Sequence, residues 1–295
     1  MATVLRNSQL FLLGLSLLCL SAGCGRIVGH FTRPLVDDLT RSFMQQGDLV
    51  IAEQGTPAFL IVLDGLIEHS PNHQSLLLAG AQAYSAYTAA FVSAKDPERN
   101  KRLSEKAKNY ALRAMSLQNK RFARVKDEPY PQFVTCLDSF RKKDVPGLFY
   151  TATSWAGWIQ AHADSMDAVA DLPKVQRLIE RVIELDEGFS HGAAHTLMGV
   201  LLTVRPPSLG GMPDLARQHF QRAVELGEGK LLTTYVMYAN SYAKLMYEEE
   251  LFFDLLKTVL DSPADSVPEL TLVNTLAKQH AGDLIAQARE QEYFD

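Results

Sequence analysis

The residues with the most chemical potential in this chain stand without companions. His191 and His195 are four apart, the spacing of two zinc ligands on one helical face, but position 192 is Gly where a zinc protease carries its catalytic Glu. No third ligand lies at a suggestive distance. Ser139 and Lys142 match the spacing of a penicillin-binding Ser-x-x-Lys pair and lack every companion motif. No Gly-rich phosphate loop is present. The sequence therefore predicts no catalytic residue, no metal, no cofactor and no enzyme. His195 is expected instead at a helix start, facing the segment Arg205 to Gly211 and hydrogen-bonding its backbone.

Aromatic residues offer binding rather than catalysis. Tyr84, Tyr87 and Phe91 form one set, Tyr150, Trp155 and Trp158 a second, and Tyr235, Tyr238 and Tyr242 a third. Offsets of three and four place most of each set on one face of a helix. Such faces either fill an interhelical core or line an apolar groove whose hydroxyl and indole groups orient a ligand. The spacing leaves both open.

The amino terminus reads as a targeting segment. Arg6 is followed by an apolar run from Leu10 to Leu20 and then by Ser21, Ala22, Gly23 and Cys24. A run of about 11 residues is short of the roughly 20 that a spanning helix needs. The end of the run resembles a bacterial lipoprotein cleavage site, so residues 1–23 are expected to leave as a signal peptide and Cys24 to carry lipid, followed by a linker over 24–33. Gly25 stands where an inner-membrane retention signal would place Asp, which favours the outer membrane. Cys136 is then left as a free thiol.

All these residues have to be positioned by helices. Of 295 residues 47% are hydrophobic and 21% charged, a globular composition, and 29 Lys and Arg against 34 Asp and Glu give a net charge of -5. No basic run suits a row of phosphates, so no nucleic-acid partner is expected. From Leu35 onward the apolar spacing is helical, and breakers such as Gly55-Thr56-Pro57, Ser70-Pro71, Asp96-Pro97 and Gly227-Glu228-Gly229 divide it into ten or eleven helices. The fold class is all-α.

The helices read as irregular tetratricopeptide-like hairpins forming one curved helical-repeat domain over residues 34–295. The best copy is Met198-Gly199 with Leu202, followed by Ala216-x-x-x-Phe220-x-x-Ala223, where small residues would let two helices approach around the aromatic ring. Ala79-Gly80 with Ala107, Ala111 and Ala114, and Ala156-Gly157 with Val175, Ile179 and Val182, are degenerate copies. Between the two helices of the best copy lies Arg205-Pro206-Pro207-Ser208-Leu209-Gly210-Gly211. Its prolines fix φ and its glycines allow positive φ, so it is expected to be a shaped loop that rims a ligand opening or meets a partner.

Two blocks carry a closer resemblance. One runs from Gly147 through Trp155 and Trp158 to Ile159. The other comprises Ser190 to Gly199, the loop, Ala216 to Ala223 and Tyr235 to Tyr242, with Asn274 to Lys278 and Glu292 to Phe294 closing the chain. In this order they resemble the T-component (TatT) family of tripartite ATP-independent periplasmic (TRAP) transporters. The resemblance implies a periplasmic lipoprotein that associates with the substrate-binding P-component, accommodates a hydrophobic or amphipathic small ligand and forms homo-oligomers, touching the membrane only through its lipid. The competing reading is an envelope scaffold whose helical repeats hold a peptide or protein partner unrelated to transport.

Overall fold

The computed structural model describes residues 38–294, with 94 and 206 excepted. The signal peptide, Cys24, the linker, the start of the domain at 34 and Pro206 lie outside the described residues. The described chain divides after Gln45 into two units. The first holds a helical segment over 38–44. The second holds thirteen α-helices and, among its described residues, no strand.

Helix α1 spans Leu49–His69 and is capped by Asp48, whose carboxylate accepts from the Val50 and Ile51 amides. The break expected at Gly55-Thr56-Pro57 does not divide it. Ala52, Thr56, Leu60, Leu63 and Ile67 form one buried face through Pro57, and burial of that continuous stripe outweighs the loss of one hydrogen bond. Helix α2, Gln74–Tyr87, runs on into a π turn over Thr88–Val92, and α3 covers Pro97–Gln118. The start of α3 follows the expected cap, with Asp96 Oδ1 accepting from the Arg99 amide at 2.9 Å ahead of Pro97.

Short helices α4 (Lys120–Val125) and α5 (Tyr130–Phe133) lead to α6, Val145–Ala161, then to the brief α7 (Met166–Ala170) and to α8, Leu172–Asp186. Helices α4, α5 and α7 account for the excess over ten or eleven, each being too short for a 3.6-residue period to register. After them come α9 (Phe189–Thr203), α10 (Pro213–Leu226), α11 (Leu232–Tyr238, with a π turn over Ala239–Ala243), α12 (Glu249–Asp261) and α13 (Thr271–Glu290).

Packing follows chain order. Helix α2 lies on α3, α6 on α8, α9 on α10 and α11 on α12. Each leading helix also touches both helices of the pair before it: α6 meets α2 and α3, α9 meets α6 and α8, α11 meets α9 and α10, and α13 meets α11 and α12. Glycines set some of these approaches. A Cβ on Gly80 would stand 2.8 Å from Ile67 and from the Tyr110 ring, and one on Gly199 would stand 2.8 Å from the Phe220 ring. Gly157 has nothing within 4 Å, so the second copy does not use its glycine in this way. Its Val175, Ile179 and Val182 are nonetheless fully buried.

Candidate functional site

On α3, Lys108, Leu112 and Ser116 form one row of residues four apart, and Asn109, Arg113 and Leu117 form the next. The two rows make one wall of an open cleft of about 940 Å³. The α1–α2 turn contributes Pro71 and Asn72, the end of α4 contributes Lys126 and Asp127, and α7 and α8 contribute Asp167, Asp171 and Lys174, with Trp155 of α6 among them.

Most charges in the cleft are already neutralised. Lys174 is 7% exposed, yet its ammonium lies 2.9 Å from Asp171 Oδ1 and between 5 and 6 Å from the Trp155 and Phe133 ring centroids. Asp171 Oδ2 also accepts the Trp155 indole N–H at 3.2 Å. Lys126 pairs with Asp127. Lys108 differs. Among the described residues no carboxylate lies within 4.0 Å of its ammonium, which sits 3.0 Å above the centroid of the Trp158 ring. Burial holds the Lys108 pKa below the ordinary lysine range, against the weaker opposing pull of Asp171, Glu105 and Asp127. Arg113 donates to the Pro71 carbonyl at 2.9 Å, while the side-chain amides of Asn72 and Asn109, both on exposed residues, make no hydrogen bond among the described residues. Arg113 and Asp167, both exposed, have no ion-pair partner among the described residues either, so Lys108 is the half-buried cation of the lining without a carboxylate. The chemistry available is recognition, by free side-chain amides and unpaired charges.

The aromatic candidates do not gather around this cleft. Tyr84, Tyr87 and Phe91 belong to a core with Leu60, Val92 and Ala107. The Tyr84 hydroxyl donates to Asp64 Oδ2 at 2.7 Å, and the Tyr110 hydroxyl donates to Asp64 Oδ1 at 2.8 Å. Arg99 donates to the Tyr87 hydroxyl at 3.1 Å. In the second set Tyr150 packs edge-on to Phe149 and Phe189, Trp155 reaches the cleft, and Trp158 lies under Lys108 and against His162. In the third, Tyr238 stacks on Phe220 at 4.9 Å, Tyr242 donates to Glu248 at 3.0 Å, and Tyr235 is half-buried with its hydroxyl near Gly229. Of the nine, Trp155 alone lines the cleft; the hydroxyls of Tyr84, Tyr87 and Tyr242 find their partners inside the fold.

His195 does not face the loop. Its Nδ1 lies 2.8 Å from His219 Nδ1 on α10 and its Nε2 lies 3.4 Å from Glu187, which Arg222 grips with two nitrogens. Eight residues of helix separate His195 from the end of α9 at Thr203, about 12 Å at 1.5 Å per residue, which puts Arg205 beyond its reach. Nor does His191 share a face with it. Ser190, His191 and Gly192 have φ of 51°, 58° and 74°, so regular helix begins only after them. Gly192 is required there for a second reason, since a Cβ would stand 2.9 Å from Leu226 and 3.3 Å from the Ala223 backbone.

The described loop residues adopt a defined backbone course. Pro207–Leu209 forms a 3₁₀ turn, Gly210 takes φ +88°, and the Met212 amide donates to the Leu202 carbonyl at 3.0 Å to close it. Gly211 does not use the positive-φ region. Arg205, Pro207 and Gly210 are exposed, and none of the described loop residues borders the cleft. Cys136 is a buried free thiol whose burial pushes its pKa up to about 11.

Sequence reading passed over Lys108, Asn109, Arg113, Asp171 and Lys174, because polar residues at helical spacing read as a solvated face. A pairing such as His195 with His219 carried no local signal at a separation of 24. The order of blocks from Gly147 to Phe294 was the informative signal. The chain matches the family described as TRAP transporter T-component over residues 45–294. It belongs to that family. Membership points to a transport role, as an accessory component. An uncharacterized protein of Treponema pallidum (strain Nichols) is 25% identical over 275 residues, covering 87% of this chain and 84% of the other.

Proposed function

We propose that this chain is the accessory T-component of a TRAP transporter and works by associating with the substrate-binding P-component in the periplasm. The cleft beside α3 is the observation that carries the reading beyond family membership: it is open and lined by unpaired amides and a lysine, which suits a protein segment better than an enclosed apolar chamber suits a hydrophobic ligand. The stacking order of α2, α3, α6, α8 and their successors supports a tetratricopeptide-like scaffold for such a role. Family membership favours this reading over a scaffold unrelated to transport. Lipid at Cys24, an outer-membrane location, self-association and a small amphipathic ligand are further parts of the proposal.

Purification of the tagged chain from its own host after mild crosslinking tests it. The expected result is co-purification of a TRAP substrate-binding protein in amounts comparable to the bait. Recovery of envelope proteins without any transporter subunit would overturn the reading.

A further inference from the structure

The α3 wall from Lys108 to Leu117 advances nine residues, about 13 Å at 1.5 Å per residue, the length of roughly four residues of extended peptide. Along it the free amide of Asn109 faces the cleft, with Asn72 across the turn, and each carries a donor and an acceptor of the kind a peptide backbone requires. At one end stands Lys108. The cleft's buried lysine, Lys174, is matched by Asp171 at 2.9 Å, and Lys126 is matched by Asp127. Lys108 has the face of Trp158 on one side and no carboxylate within ion-pair distance among the described residues. A partly desolvated ammonium held in this way is short of one anion.

We propose that the cleft beside α3 binds an extended acidic segment of a partner protein, with one Asp or Glu side chain of that segment pairing with Lys108 while Asn72 and Asn109 hold its backbone. The proposal rests on the association reading above for the origin of the segment, and the cleft's chemistry argues for its acidity independently. A small apolar ligand would leave both amides and the ammonium unanswered. The lining carries Lys108, Arg113, Lys126 and Lys174 against Asp127, Asp167 and Asp171, so a basic segment would meet the larger of the two charges.

The chain carries its own reporter, because its two tryptophans, Trp155 and Trp158, are the ring at the cleft and the ring under Lys108. Full-length, detergent-solubilised protein is titrated with a pool of acetylated, amidated hexapeptides that have Asp or Glu fixed at the third position and the remaining positions mixed. A matched pool carries Asn or Gln at that position. The expected result is a saturable change in tryptophan emission with the acidic pool and at least tenfold weaker binding of the amide pool. Lys108→Met keeps the apolar stem over Trp158 and should reduce the acidic response to the amide level, with far-ultraviolet dichroism unchanged. Equal responses to the two pools, no response to either, or an unaltered response in a folded Lys108→Met variant would each overturn the proposal. So would N-acetylglutamate saturating the signal at the same concentration as the pool, which would make the occupant a small acid. Crosslinked recovery of the P-component, measured in parallel, separates the two readings. Undiminished recovery by Lys108→Met sinks the cleft proposal alone, whereas no recovery by the wild type sinks the association and leaves the peptide result standing.

Discussion

Gly199 of α9 and Phe220 of α10 approach so closely that a Cβ on the glycine would stand 2.8 Å from the ring, and that ring also stacks on Tyr238 at 4.9 Å with planes 11° apart. The ring is fully buried and has no side to retreat to. Gly199→Ala gains about 1 kcal/mol of helix propensity, but overpacking costs about 1–3 kcal/mol. The net effect expected is a lower urea midpoint. Phe220→Leu in the same chain should recover part of the loss, so the pair of changes should be less than additive. An unchanged midpoint for Gly199→Ala would mean that the helices separate freely here.

The histidine pair makes a pH prediction. His219 is pushed down to about 4 by burial and by the facing His195, and burial also lowers His195 against the pull of Glu187. The other charged groups facing the pair are Glu187 and Arg222. Both histidine pKa values lie below the unfolded value near 6.5, so the unfolded chain binds more protons and stability falls as pH drops from about 6.5 toward 4. His219 is half-buried, and after screening the loss is on the order of 1 kcal/mol. Glu187 is itself lowered and contributes only below the ordinary carboxylate range, which leaves the window between about 6.5 and 4.5 to the histidines. His219→Gln should flatten the stability profile in that window. A profile equally steep with the glutamine would refute the assignment.

Asp64 joins α1 to α2 and α3 by accepting from Tyr84, Tyr110 and Lys106. Burial alone would raise its pKa, yet the three bonds together lower it, and in return the Tyr110 hydroxyl is pushed up to about 12 by burial and by Asp64. Asp64→Ala removes the common acceptor of two half-buried hydroxyls and should cost about 2–4 kcal/mol. Asp64→Asn retains an acceptor and should cost less. Chemical denaturation of the three proteins tests the order, and a tie between Ala and Asn would show that the hub contributes nothing specific.

How much of this could be read from the sequence depends on the distance over which each feature is encoded. Ala216, Phe220 and Ala223 declared a helical hairpin because their spacing lies within two turns, and all three are buried as that spacing requires. The Asp96-Pro97 cap was equally local. Pro57 misled, since a single breaker competes with a buried stripe that spans about four turns of α1. Most of the candidate site was not legible. Trp155 was singled out, but Lys108, Asp171 and Lys174 come together through the packing of α3, α6 and α8, and nothing in a polar helical face distinguishes an unpaired lysine from a solvated one.

Asp171 supports the last prediction. It is the sole ion-pair partner, among the described residues, of the buried Lys174, and it accepts the Trp155 indole N–H as well. Asp171→Ala leaves an ammonium enclosed by Trp155 and Phe133 with no counter-charge, a situation that costs about 3 kcal/mol when one partner of a buried pair is removed. Replacing both partners, as Asp171→Ala with Lys174→Met, removes the stranded charge and should restore a good part of the stability. Tryptophan emission should shift in the single variant because Trp155 loses its acceptor. If the double variant proves no more stable than Asp171→Ala, the loss comes from the indole bond or from the α7–α8 junction rather than from Lys174, and the ion pair is not what secures that wall of the cleft.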